Sequence, residues 1–206
     1  MTAGPSGGAP APPEAARAAA RPPRSAAGGV VTVAPEPYDA PDAVALEAEL
    51  MADLDERYAA DGAVDGDHPE VVAHHRVRVE QVTRPHGVFV VARVDGVAAA
   101  CGAVRRLIGG PPDVGEIKRM YTRPAARRRG LSRVVLDRLE AEAADLGYRR
   151  VQLETGLRQP EAITLYETAG YRRIPSFGQY EGDELSVCFA KDLVAEDVLA
   201  EDPGPA

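Results

Sequence analysis

The strongest constraint on the fold is the dipeptide Asp95-Gly96, which stands between two long apolar segments. The first segment, Val88 to Ala92, is rich in β-branched residues, and the second runs from Val97 to Leu107. Asp-Gly favours the two-residue turn that joins antiparallel strands, because its residues accept positive φ angles. The pattern therefore predicts a β-hairpin, and with it a sheet on which other elements pack.

The chain after this hairpin alternates strand and helix patterns. Apolar residues at every fourth position after Gly130 predict a helix that Gly147 ends in a left-handed conformation. The other predicted elements are strands at Glu116 to Tyr121, Arg149 to Glu154 and Leu185 to Ala190, and a helix at Glu161 to Ala169 closed by Gly170. Antiparallel strands followed by a helix and a parallel return strand indicate an α+β fold around one mixed sheet.

The segment before the hairpin has a weaker pattern. Val30 to Val33 predicts a first strand, and Asp42 is a candidate cap for a helix that follows it. The apolar face of that helix would hold Leu46, Leu50 and Leu54, with Val44 and Met51 alongside. Residues 61–69 resemble a turn-rich linker, and Val71 to Val82 fits a strand and a helix equally well.

The two ends of the chain lack the apolar residues that a core needs. Residues 1–29 contain ten Ala, six Pro and five Gly, and the far end, 194–206, is acidic with two prolines. Neither segment can bury enough surface to offset about 1–2 kcal/mol of backbone ordering per residue. Pro and Arg also interrupt every apolar block that a signal peptide would require. We therefore expect two disordered tails around one domain at 30–193.

Charge and cysteine usage exclude several classes of function. The chain carries 24 Lys and Arg against 32 Asp and Glu, a net charge of −8, which repels nucleic acids and anionic membranes. Cys101 and Cys188 lie in apolar strand patterns, which predicts buried thiols in a reducing compartment, the cytoplasm. Neither cysteine has zinc-site spacing, and no metal is expected. The four histidines, His68, His74, His75 and His86, are expected on the surface.

The start of the helix at Gly130 carries an unusual concentration of positive charge. Five arginines surround its first turn: Arg123, Arg127, Arg128, Arg129 and Arg133. Cations oppose the helix dipole at this end, so the arrangement makes sense if an anion binds the exposed amides. A solvated surface run of arginines is the alternative. Gly130 would let the backbone approach such an anion closely.

These residues resemble the GCN5-related N-acetyltransferases, the GNAT superfamily. The sequence Arg-Arg-Arg-Gly-Leu-Ser at 127–132 is similar to the family's Q/R-x-x-G-x-G/A pyrophosphate loop, with Ser132 in place of Gly or Ala. Residues 159–171 are similar to the family's N-x-x-A-x-x-L-Y-x-x-x-G-[FY] segment, with Gln159 in place of Asn. The resemblance covers about Val30 to Leu193. It implies a mostly antiparallel sheet flanked by helices, with two splayed parallel strands at the cofactor site.

The resemblance also implies a cofactor and a set of site residues. Acetyl-CoA would be the co-substrate, and a primary amine would attack its thioester directly. The residues expected to bind acetyl-CoA are Met120, Tyr121, Thr122, Arg127, Arg128, Arg129, Gly130, Leu131, Ser132, Arg133 and Gln159. Tyr166 matches the tyrosine that protonates the departing thiolate, and Glu116 matches the general base of the histone-acetylating members. Glu154 and Tyr121 are reserve candidates for the base.

The acceptor stays open at this point. Three acidic residues in the loop before the last strand, Glu181, Asp183 and Glu184, favour a cationic amine. Small amines, amino acids, aminoglycosides and peptide N-termini all fit such an acceptor site. A separate open question is whether the chain forms a homodimer with a second copy of itself. The alternative function is a module of this fold that binds acyl-CoA without turnover, as a sensor or interaction domain.

Overall fold

The computed structural model describes residues 29–59 and 77–193. In these two stretches a seven-stranded sheet has the order β1-β2-β3-β4-β5-β7-β6. The strands are β1 (Val31–Pro35), β2 (Gly87–Val94), β3 (Val97–Arg106), β4 (Val114–Thr122), β5 (Arg150–Gly156), β6 (Arg172–Ile174) and β7 (Ser186–Asp192). The helices are α1 (Pro41–Tyr58), α2 (Leu131–Asp145) and α3 (Pro160–Thr168). Only β4 and β5 pair in parallel within this sheet, which confirms the predicted α+β class.

The hairpin predicted from Asp95-Gly96 is confirmed. Val94 pairs with Val97, and the two turn residues have φ angles of 50° and 84°. β2 is apolar along its length because both of its faces are covered. Val90 belongs to the core under α2, whereas Phe89 belongs to the core under α1.

The predicted ends of α2 and α3 are also confirmed. Gly130 is the N-cap of α2 with φ 78°, and Gly147 follows its last residues with φ 87°. Leu139 of α2 packs directly on the sheet at Gly102, where an added Cβ would lie 2.7 Å from the leucine Cδ1. This close contact brings the middle of α2 near the backbone of β3.

Several predictions for α1 and its surroundings are wrong. The helix begins at Pro41 with Ala40 as N-cap, and Asp42 instead accepts a hydrogen bond of 2.6 Å from Arg93. Leu46 and Leu50 are buried as predicted, but Val44 and Met51 are 52% and 37% exposed. The helical spacing of apolar residues predicted that these two side chains lie beside the buried face of the helix. The sheet covers a narrower stripe of the helix than this prediction required. The short edge strand β6 was not predicted, because three residues carry too little pattern.

Other sequence-based assignments fall outside the described residues. These are residues 1–28, 61–69, 71–76 and 194–206, together with His68, His74 and His75.

The described part of the ambiguous segment, Val79–Val82, forms a 3-10 turn. Cys101 and Cys188 are buried free thiols, as predicted. In the described stretches no helix is long and apolar enough to cross a membrane, and no cluster of three or more His, Cys, Asp or Glu can hold a metal ion.

Candidate active site

The sheet opens where its two parallel strands separate. β4 and β5 pair at only three positions, the last being Glu116 with Gln152. Beyond this point β4 remains bonded to β3, and β5 to β7, so each strand presents an unpaired backbone edge to the other. A bulge at Arg119, with φ 58°, bends β4 away from its former direction. The result is a cleft of about 920 Å³.

Most residues that the family resemblance implicates line this cleft. They are Met120, Tyr121, Thr122, Arg127, Arg128, Gly130, Leu131, Ser132, Gln159 and Tyr166. Arg129, Arg133 and Glu116 are not among the lining residues. The structure therefore brings two distant sequence motifs, the arginine-rich turn and the segment around Tyr166, to one cavity.

The turn before α2 presents a row of backbone amides. Arg127 N–H donates to Pro124 O at 3.3 Å, and the next backbone bond of this turn is from Val134 N–H to Gly130 O at 3.2 Å. In the described stretches no backbone carbonyl accepts from the amides of Arg128 or of residues 130–133. Left-handed conformations at Arg128 and Gly130, with φ 59° and 78°, give this segment its shape. Such amides at a helix N-terminus are suited to bind a phosphate group.

The arginines of this turn do not all converge on one point. Arg123 forms a bidentate contact with Glu49, with distances of 2.7 to 3.1 Å, and Arg133 pairs with Asp137 at 2.7 Å. Arg127 lies at the cleft but binds Asp53 of α1 at 2.9 Å. Arg128 is exposed and lines the cleft. An anion in the cleft therefore meets Arg128 directly and competes with Asp53 for Arg127.

Asp53 connects the turn to the far side of the cleft. It accepts from Arg127 and also from Arg57, at 2.8 Å, and Arg57 in turn pairs with Glu161 of α3 at 2.6 Å. Burial acts to raise the pKa of Asp53, but the two arginines outweigh it and hold that pKa below its ordinary value. Sequence reasoning missed this residue, although the Asp53–Arg57 spacing of four on a helix was visible.

Tyr166 occupies the cleft wall formed by α3. Its ring packs on Tyr171 and Phe189, with centroid distances of 5.7 and 5.8 Å. Burial, and to a lesser extent the nearby Glu154 carboxylate, raise the pKa of this phenol above its usual value. The hydroxyl is therefore protonated at neutral pH and is available as a hydrogen-bond donor to a group in the cleft.

Glu116 lies below the cleft in a buried ion pair. Nε and Nη2 of Arg105 contact its Oε2 at 2.8 and 2.7 Å, and both side chains are only 2–3% exposed. Its other oxygen accepts from the Tyr180 hydroxyl at 3.3 Å and lies 3.5 Å from Lys118 Nζ. These contacts use the carboxylate to neutralise a buried arginine rather than to face the cavity.

Glu154, unlike Glu116, lines the cavity. It lies on β5 beyond the point of strand separation and lines the cleft together with Lys118. Burial raises its pKa, and the opposing influences of the Ser186 hydroxyl and the Lys118 ammonium do not cancel that increase. Lys118, whose pKa is lowered by burial, was not predicted as a site residue. Its position two residues after Glu116 on an alternating strand was the available signal.

The other predicted residues take supporting positions. Gln159 is the N-cap of α3, and its side-chain amide donates to the Tyr58 hydroxyl at 3.4 Å. Tyr121 lines the cleft, and burial raises the pKa of its phenol. Thr122 and Thr155 also line the cleft, and their buried hydroxyls have no hydrogen-bond partner in the described stretches. Unpaired strand edges, free amides and unused hydroxyls fit an extended ligand with amide and phosphate groups.

Comparison with known proteins identifies relatives with a consistent description. The model of the acetyltransferase (GNAT) family matches residues 49–171. A relative named IAA acetyltransferase, from Azospirillum brasilense, is 35% identical over 145 residues, covering 70% of this chain and 89% of the relative. The N-acetyltransferase YsnE of Bacillus subtilis, itself uncharacterized, is 34% identical over 121 residues, covering 58% and 78% of the two chains.

Solved structures share the fold. A Klebsiella pneumoniae protein described as an acyl-CoA N-acyltransferase is 28% identical, with a TM-score of 0.62 over 80% of this chain and 98% of that chain. The PaiA N-acetyltransferase of Thermoplasma acidophilum, solved in complex with coenzyme A, has a TM-score of 0.57 at 13% identity, over 79% and 98% of the two chains.

Proposed function

The chain belongs to the acetyltransferase (GNAT) family, and on that premise we propose that it transfers the acetyl group of acetyl-CoA to a primary amine by direct attack in a ternary complex. Members of this family are acyltransferases that use acetyl-CoA. The observation that carries the proposal is the single cleft lined by both the amide-rich turn and Tyr166.

The binding roles follow from the geometry of the cleft. The amides of Arg128 and of residues 130–133, together with the Arg128 guanidinium, would hold the pyrophosphate. The unpaired edges of Met120, Tyr121 and Thr122 would pair with the pantetheine arm like an added strand. Ser132 and Gln159, which depart from the family pattern, line the same cavity and would contact the cofactor there. Arg129 and Arg133 would contribute through the general positive field of the turn.

The catalytic roles fall to two side chains that line the cleft. When bound, acetyl-CoA supplies a thioester carbonyl to the attacking amine. Tyr166 donates its phenolic hydrogen toward the departing sulfur, and Glu154 accepts the proton that the ammonium must lose. We assign this second role to Glu154 rather than to Glu116, because Glu154 lines the cavity and Glu116 is engaged by Arg105.

The rate should depend on pH through Glu154. A proton acceptor must be ionised, so activity is lost as the pH falls through the pKa of Glu154. Burial raises that pKa, so the loss of activity begins at a higher pH than it would for an exposed glutamate. Glu154→Gln should remove this limb and lower kcat by about 10²-fold, a typical contribution of one general base. Retention of full activity with the acidic limb unchanged would refute the assignment.

A panel of primary amines tests the function itself. Release of free thiol from acetyl-CoA is followed with simple alkylamines, amino acids, aminoglycosides and peptides that carry a free N-terminus. Amine-dependent release supports an enzyme, and binding of acetyl-CoA without release for any amine supports the non-catalytic module. Mass spectrometry of the product identifies the acetylated nitrogen.

A further inference from the structure

Acetyl transfer to an ammonium group releases a proton that must leave the cleft. The balanced reaction converts R-NH3+ and acetyl-CoA into the acetamide, CoA-SH and one H+. Glu154 would receive that proton at the cavity, and it can act again only after passing the proton on. Substrates that fill the cleft exclude the water that would otherwise carry it away.

A second route leads from Glu154 to the exposed loop before β7. The Ser186 hydroxyl lies 2.8 Å from Glu154 Oε1 and 2.8 Å from Oδ2 of Asp183. Asp183 is exposed in the loop before β7, so its carboxylate meets bulk water. These three side chains form a continuous chain from the cavity to solvent.

We propose that Ser186 and Asp183 form a proton exit for Glu154, an inference that rests on the proposed function. A hydroxyl has one hydrogen to donate and lone pairs to accept with. Protonated Glu154 donates to Ser186 Oγ, which passes its own hydrogen to Asp183, and Asp183 releases a proton to water. Rotation of the hydroxyl then restores the starting arrangement.

The surroundings hold this chain in position. Asp183 accepts a second bond from the Leu185 N–H at 2.9 Å, which fixes its carboxylate in the loop. Ser186 begins β7 and pairs with Gly156 at the end of β5, the strand that carries Glu154. The ordered backbone on both sides keeps the hydroxyl between the two carboxylates.

In the part of the chain that the structure describes, the other charged or titratable groups near Glu154 do not complete a route to solvent. Some of these groups affect the pKa of Glu154, and Glu154 affects the pKa of others. They are Lys118 and Glu116 of β4, Tyr166 of α3, Tyr180 and Asp183 of the loop before β7, and Cys188 of β7. Of these, Asp183 alone is exposed. The raised pKa of Glu154 supports its ability to hold a proton before release.

The proposed proton exit is tested by measuring how kcat depends on the concentration of buffer in the solution. With acetyl-CoA and n-propylamine as substrates at fixed pH, Ser186→Ala should lower kcat about tenfold at low buffer concentration. This is less than the roughly 10²–10⁴-fold contribution of a general acid or base, because Glu154 itself remains. Added imidazole should restore the rate of this variant and leave that of the wild-type protein unchanged. Ser186→Thr, which keeps the hydroxyl, should stay within about twofold of wild type. Asp183→Asn should behave like Ser186→Ala, whereas Asp145→Asn, at an exposed position of α2 that does not line the cleft, should not.

Two results would overturn the exit. One is an unchanged kcat for Ser186→Ala, and the other is a loss that neither imidazole nor the threonine variant restores, which would indicate a structural role. Glu154→Gln separates this inference from the proposed function. A loss of activity in Glu154→Gln with full activity in Ser186→Ala refutes the exit alone, whereas full activity in Glu154→Gln refutes Glu154 as the base.

Discussion

Replacing Glu116 by glutamine distinguishes a buried structural partner from a catalytic base. The Glu116 carboxylate compensates the charge of Arg105, whose Nη1 also donates to Gln81 at 3.0 Å. Glutamine keeps the size of the side chain but removes its charge, which leaves a buried guanidinium uncompensated. The Tyr180 hydroxyl also loses a charged acceptor.

The expected effect is large because both groups are almost completely buried. Breaking a buried ion pair by removing one partner costs about 3–5 kcal/mol. For a domain of this size, about 2–4 °C of melting temperature corresponds to each kcal/mol, so we expect a decrease of roughly 6–20 °C. Replacing both partners by apolar residues, as in Arg105→Met with Glu116→Leu, should recover most of that loss.

Thermal unfolding and turnover measured on the same variants provide the test. A double-mutant cycle over Arg105 and Glu116 isolates their coupling free energy. Below the melting temperature, kcat of Glu116→Gln should keep its acidic pH limb, moved slightly to lower pH because the Glu116 charge no longer raises the pKa of Glu154. A melting temperature within about 2 °C of wild type, which is under 1 kcal/mol, together with loss of that limb would refute the reasoning and restore Glu116 as the base.

Three further predictions concern the cofactor, the acid and the tail. Gly130→Val should weaken acetyl-CoA binding at least about tenfold in calorimetry, because a β-branched residue opposes φ 78° and hinders phosphate approach, whereas Gly109→Val, at φ 72° away from the cleft, should not. Tyr166→Phe should lower kcat roughly 10²–10³-fold with little change in acetyl-CoA affinity, and full activity in a folded variant would contradict its role as acid. Deletion of residues 1–28 should change the melting temperature by no more than about 2 °C, and a larger decrease would show that the segment packs on the domain.

The elements with strong local patterns could be predicted from the sequence. The Asp95-Gly96 turn and the four-residue apolar spacing of α2 each depend on backbone chemistry that neighbouring residues determine. The edge strand β6 could not, because its three residues are fixed by pairing with β7 rather than by their own pattern. The cap at Asp42 failed for a similar reason, since the distant Arg93 binds that carboxylate.

The candidate site was predictable only as far as its motifs extend. The turn at Gly130 and Tyr166 reached the cleft because local sequence determines where α2 begins and which residues α3 contains. The choice between Glu116 and Glu154 depends on Arg105, which lies on a different strand and pairs with one of the two. Ion pairs between distant elements, such as Arg127 with Asp53, follow no spacing in the chain.

The three-position pairing of β4 with β5 has a consequence for how the protein opens and unfolds. The sheet is two half-sheets, β1 to β4 and β5 to β7, that share a short hydrogen-bonded seam. Local stability follows the density of such contacts, so amide hydrogen exchange should be fastest along the facing edges beyond Glu116 and Gln152. A ligand that spans both edges adds its binding free energy to the folded state. Acetyl-CoA should therefore slow exchange along both strands and couple the two half-sheets into one cooperative unit.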